Sequence, residues 1–188
     1  MCGFDPLHRH HAKQPVKRPA TSIMSPSATP KISVLIADDA KEDRFLLKSA
    51  ITDHAPRFQI VGEVIDGAEL KDYLSGHGKY ADRGRHPLPD LLFLDLRMPG
   101  MDGFEVLEWL QQHRHPRLKI VVRTDSAGFA YKSEALALGA SHFFAKQSTM
   151  DELAKMVSGL QREMLDDEEN KSKRPAEKKH RPGTSSAG

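Results

Sequence analysis

LLFLDLRMPGMDGFE, from Leu91 to Glu105, decides how this chain is read. Leu91–Leu94 is a short continuous apolar run, the pattern of a strand buried on both faces of a sheet. The run stops on Asp95, breaks over Pro99 and Gly100, and gives way to a helix opened by Asp102, with Phe104, Leu107 and Leu110 along one face. A carboxylate closing the most apolar stretch of the chain adds nothing to a core. It directs attention to chemistry at the strand's end.

Outward from this stretch the pattern alternates. ISVLIA (Ile32–Ala37) is a second buried-strand run, followed by EDRFLLKSAI, where Phe45, Leu46, Leu47 and Ile51 make a helical stripe. FQIVGEVI reads as strand and GAELKDYLSG as a helix ending on Gly76. KIVVRT is a strand, FAYKSEALALG a helix closed by Gly139, SHFFAK a strand, and MDELAKMVSGLQREML a final helix. Five such β/α units without internal repeats predict an α/β fold, a doubly wound parallel sheet with helices on both faces. GHGKYADRGRHPLP, between Gly76 and Pro89, is long for such a connection and reads as a surface insertion, with a partner-specific element as the other option.

The domain expected from this pattern covers residues 31–165 of the 188. Residues 1–30 hold five prolines and only isolated apolar residues, which cannot offset their own ordering entropy, so they read as a disordered extension. Residues 166–188 are polar and charged and read as a disordered tail. His8, His10 and His11 lack a surrounding carboxylate or thiol, so a solvated tail is the better account of them than a metal site. A net charge of +2 gives no argument for nucleic acid, and the single cysteine, Cys2, excludes an internal disulfide. No apolar run reaches membrane-spanning length and the start lacks a signal's apolar region, so the expected location is cytoplasmic.

In a doubly wound sheet, ligands gather beyond the carboxyl ends of the strands. Those ends deliver Asp38 and Asp39 from the first strand, Asp95 from the third, Thr124 from the fourth and Lys146 from the fifth. Singly, each has a plain explanation: a helix cap, a loop hydroxyl, a lysine reaching solvent. Together they make a working set. Clustered carboxylates are stable in ionised form only beside a cation, and oxygen ligands suit Mg2+. With the cation and the Lys146 ammonium neutralising charge on the transferring oxygens, a carboxylate can accept a phosphoryl group, and a threonine hydroxyl can bond it afterwards.

IADDA, LLFLDLRMPGMDG, the placement of Thr124 and LGASHFFAK together make residues 31–165 resemble a response-regulator receiver domain of two-component signalling. The resemblance implies a flavodoxin-like sheet of order 2-1-3-4-5 and Asp95 as phosphoacceptor. It further implies Mg2+ held by Asp38, Asp39, Asp95 and the backbone carbonyl of Arg97, phosphoryl contacts from Thr124 and Lys146, and Phe143 as a switch aromatic. The long loop is similar to that of single-domain regulators accompanying phytochrome-type histidine kinases. Three positions depart from the family: Gln147 where proline is usual after the lysine, Asp125 where a small residue follows the threonine, and Arg123 where an apolar one precedes it.

The resemblance therefore implies a phosphorylation-switched signalling module and no enzyme beyond its own phosphorylation and dephosphorylation. Its partners would be a histidine kinase or phosphotransfer protein and an unidentified downstream protein, with no membrane, no DNA-binding domain, and homodimerisation left open. The alternative is an adaptor of the same fold that is never phosphorylated. A phosphatase working through an aspartyl phosphate would need a second acid two residues after the nucleophile, and that position is Arg97. The trans form is expected for the Lys146–Gln147 peptide, since cis costs about 2.5–4 kcal/mol before a non-proline residue. Asp125 is expected either to cap the next helix or to place a negative charge beside the acceptor, with Arg123 pairing to it.

Overall fold

The computed structural model describes residues 31–125, 128–146 and 149–173. The expected N-terminal extension, the far end of the expected tail and the Lys146–Gln147 peptide fall outside the described residues. In chain order the strands are β1 (Ile32–Ala37), β2 (Phe58–Val64), β3 (Leu91–Leu94), β4 (Lys119–Thr124) and β5 (His142–Ala145). The helices are α1 (Lys41–His54), α2 (Gly67–Ser75), α3 (Gly103–Gln112), α4 (Phe129–Ala137) and α5 (Met150–Lys173). All strand pairs are parallel and the sheet order is β2-β1-β3-β4-β5, so the flavodoxin-like expectation holds.

Strand periodicity sorts the core into two layers. Leu35, Ala37, Leu92, Leu94 and Val122 face one side and pack with α2 and α3 residues such as Leu70, Val106 and Leu107. Val34, Ile36, Leu91, Phe93 and Val121 face the other and pack against Leu47 and Ile51 of α1 and Leu153 and Val157 of α5. Continued one step past the strand ends, the second face carries Asp38, Asp95 and Lys146, with Arg123 already on it. Alternation thus delivers four charged groups to one side of one edge.

Several expectations need correcting. The buried stripe of α1 is Leu47, Ala50 and Ile51; Phe45 and Leu46 are exposed, because three adjacent residues cannot share one helical face. The last helix does not stop at 165 but runs to Lys173. Its later turns are tied to the sheet by Lys119, whose Nζ lies 2.7 Å from both Glu163 and Asp167. The loop from 76 to 89 keeps its reading as a surface insertion, with most of its residues exposed, but it is anchored to the domain. It holds a short 3-10 turn at Gly78–Tyr80, and Tyr80 packs on Tyr73 with ring centroids 4.8 Å apart. Gly76 takes the left-handed conformation that ends α2, and Arg83 reaches back to the carbonyls of Tyr73 and Leu74, both at 2.8 Å.

Candidate functional site

The loop after β3 is shaped by its neighbours before any chemistry is considered. Gly100 has a left-handed φ of 72°, and Gly103 has no room for a side chain, since a Cβ there would run into the Asp95 carbonyl and the Leu96 backbone. Asp102 and Glu105 form a reciprocal capping box at the start of α3. The turn that follows Asp95 is therefore fixed at both ends. Within it the Arg97 backbone N–H donates to Asp95 Oδ1 at 3.1 Å.

Asp38, Asp39 and Asp95 each offer a carboxylate oxygen, all within 4.8 Å of one another. Asp38 and Asp95 are buried while Asp39 is exposed, so the cluster opens to solvent on one side. Asp39 does not cap α1; the position before the helix is Ala40, whose N–H donates to Asp38 Oδ1 at 2.9 Å. Hard oxygen donors at this spacing fit a divalent cation such as Mg2+.

Lys146 does not reach out to solvent. Its Nζ donates to Asp43 Oδ2 at 2.7 Å and to Asp95 Oδ2 at 2.9 Å, and it lies 3.2 Å from Asp38 Oδ2. Burial alone would lower the ammonium's pKa, but the bonds to Asp43 and Asp95 and the charges of Asp38 and Asp95 outweigh it, so the pKa is raised. Lys146 is a fixed cation. Burial pushes the Asp38 carboxyl above the usual carboxylate range; Lys146 opposes the shift and the Asp95 charge adds to it.

Thr124 is fully buried at the end of β4, and its carbonyl accepts from the Lys146 N–H at 2.9 Å. That backbone bond ties the ends of β4 and β5 together, holding the threonine and the lysine on neighbouring strands. Phe143 is half-buried against the core layer that contains Val122 and Ala135.

Two charged residues belong to the site although sequence reasoning did not place them there. Asp43 bonds Lys146 from the first turn of α1, and Arg123 lies buried beneath the cluster, 3.6 Å from Asp38 Oδ2 and 3.8 Å from Asp43 Oδ1. Arg123 does not pair with Asp125. The strand ends at Thr124, so alternation does not carry through to 125, and Asp125 faces Arg97 at 3.7 Å instead. Nor does Asp125 cap α4, whose N-cap is Gly128.

Residues 34–158 match the response regulator receiver domain family. The chain belongs to that family, and so to the proteins of two-component signalling. It is 32% identical over 135 residues to the probable transcriptional regulatory protein NarL of Mycobacterium tuberculosis, covering 71% of this chain and 56% of that one. The match thus spans little more than half of that relative's length. With response regulator Rcp1 of Synechocystis it shares 30% identity over 146 residues, 73% of this chain and 92% of Rcp1. The crystal structure of the phosphorylated cyanobacterial phytochrome response regulator RcpA superposes with a TM-score of 0.62 at 28% identity, covering 72% of this chain and 94% of RcpA. The Mn2+-bound form of Rcp1 superposes with a TM-score of 0.60 at 27% identity, covering 71% and 94%. Among the described residues no helix is long and apolar enough to cross a membrane.

Proposed function

We propose that this receiver domain accepts a phosphoryl group on Asp95 and signals through the contacts of its phosphorylated form. The observation that carries this reading is the Lys146 ammonium, 2.9 Å from Asp95 Oδ2 and inside a cluster of carboxylates. In the transfer, the bond from phosphorus to the donor's nitrogen or oxygen breaks, its electron pair leaves with the donor, and a carboxylate oxygen of Asp95 forms the new bond. Asp38, Asp39, Asp95 and the Arg97 carbonyl would hold Mg2+, which supplies positive charge against the transferring oxygens. The donor is a cytoplasmic histidine kinase or a phosphotransfer protein; the likeness to RcpA makes a phytochrome-type kinase the first to try.

Output runs through α4, β5 and α5. Thr124 drawn toward the phosphoryl group vacates space beside β5, and Phe143, half-buried at rest, turns into it. The ring has no hydroxyl, so burial alone favours the inward state.

The test is labelling of the full chain with acetyl phosphate, with and without Mg2+, followed by mapping of the modified residue. A Mg2+-dependent label on Asp95 alone is expected. No label from either acetyl phosphate or a kinase would overturn the reading and leave the phosphorylation-independent adaptor in its place.

A further inference from the structure

Arg123 sits where an apolar residue would complete the packing. It shares its sheet face with Val121, and only 2% of its side chain is exposed. A guanidinium so buried cannot shed its charge, so the groups around it must offset it. Two carboxylates face it: Asp38 from the end of β1 and Asp43 from α1. The same two carboxylates also contact Lys146. Two cations and two anions therefore alternate in a closed ring under the site, and Asp39 and Asp95 complete the group.

Four carboxylates against two fixed cations leave a formal charge of −2, the match for one divalent ion. Without the guanidinium the same pocket would stand at −3 and attract a divalent cation more strongly. We propose that Arg123 is a positioning residue and internal counter-ion, which holds Asp38 and Asp43 in place and sets the affinity of the acidic cluster for its divalent cation below what the carboxylates alone would give. The proposal rests on the reading of Asp38, Asp39 and Asp95 as the metal set. Arg123 lies beneath the cluster rather than at its mouth, so dissolved salt screens it weakly. Its influence persists at ionic strengths that abolish surface effects.

The experiment measures Mn2+ binding by the full chain, reading free Mn2+ by its electron paramagnetic resonance signal. The wild type is compared with D43N, with the double variant D43N/R123M, and with R123Q. Removing both charges of a buried pair is better tolerated than stranding one of them, so the double variant keeps the comparison usable if R123Q does not fold. D43N, at formal charge −1, is expected to bind at least tenfold more weakly than wild type. D43N/R123M, returned to −2, is expected to recover the wild-type affinity, so removing Arg123 tightens binding by about tenfold, or 1.4 kcal/mol. R123Q is expected to bind at least tenfold more tightly than wild type, in 0.5 M KCl as in low salt. An arginine that merely filled space would leave D43N/R123M no tighter than D43N, and that result overturns the proposal while the metal site stands. Failure of the wild type to bind Mn2+ at all overturns both.

Discussion

Arg97 and Asp125 face each other at the carboxyl edge of the sheet, with Nη2 and Oδ2 3.7 Å apart and both side chains largely exposed. Each follows the end of a site strand, Arg97 after β3 and Asp125 after β4. An exposed pair of this kind adds about 0.2–1 kcal/mol to stability at most. Under the proposed function its consequence is electrostatic instead, since an anionic donor approaching Asp95 would meet a neutralised Asp125. Arg97→Ala leaves the Asp125 charge unopposed and is expected to slow labelling by acetyl phosphate about two- to fivefold at low salt. Asp125→Ala speeds it by a similar factor, and the double variant returns to the wild-type rate. All four proteins converge at high salt, where the Debye length falls to about 3 Å. Labelling rates measured on phosphate-retarding gels check this; equal rates at low ionic strength would leave the pair without a role in donor approach.

Asp95→Asn separates chemistry from folding. The amide has the shape of the carboxylate and keeps the bond from the Arg97 N–H, while Lys146 keeps Asp43 and Asp38 as anionic partners. The variant is expected to melt within a few degrees of wild type and to incorporate no phosphoryl group. Intact-mass spectrometry after Mg2+ and acetyl phosphate treatment reads the result. Undiminished incorporation would place the acceptor elsewhere.

The polar residues that end apolar runs are legible because burial makes a polar residue conspicuous there. Asp38, Asp95, Thr124 and Lys146 all stood out in this way, and the sheet order followed from the alternation of elements. Asp43 was not legible, because an acid in the first turn of a helix is ordinarily a complement to the helix dipole. Its place becomes readable only once the buried stripe is known to be Leu47, Ala50 and Ile51, four residues behind which Asp43 sits on the same face. Arg123 is visible in the sequence as an oddity, but its partners are Asp38 and Asp43 rather than the expected Asp125, because its strand ends one residue too soon. The order in the long loop has no periodic signature. It depends on Tyr73, Tyr80, His86 and Arg83 meeting in space, which sequence spacing does not encode.

The loop from 76 to 89 should behave as part of the domain. Arg83 donates to three carbonyls, those of Tyr73, Leu74 and His86, and two of these lie in the last turn of α2, where Tyr73 also accepts from the Gly76 N–H at 3.2 Å. Hydrogen bonds from a charged donor contribute about 1.5–3 kcal/mol. Arg83→Ala is expected to destabilise the domain by about 2–3 kcal/mol. Urea unfolding followed by the fluorescence of the single tryptophan, Trp109, measures it. A loss below about 0.5 kcal/mol would leave Arg83 without a role in anchoring the loop.

Tyr80 gives the loop a dependence on alkaline pH. Its ring is buried between Tyr73 and His86, and its hydroxyl donates to Glu69 Oε1 at 2.7 Å. Burial raises its pKa first, the bond to Glu69 raises it further, and Lys79 opposes; the phenol is pushed up to about 12. A phenol whose folded pKa lies above its unfolded value of about 10 contributes stability that is fully present below pH 10 and is lost as the pH rises toward 12. Within that window the wild type loses about 1.4 kcal/mol for each pH unit on account of this group. Tyr80→Phe cannot ionise and so escapes that loss, but it gives up the bond to Glu69. At pH 8 the variant is expected to be less stable than wild type by about 1.5–3 kcal/mol, the worth of a hydrogen bond to a charged acceptor. The gap should narrow from pH 10 upward and be largely closed by pH 11.5. Urea unfolding of both proteins at pH 8, 10, 11 and 11.5 traces the curve, and absorbance at 295 nm follows the phenolate directly. A gap that stays constant across the series would mean that Tyr80 titrates like a tyrosine in water.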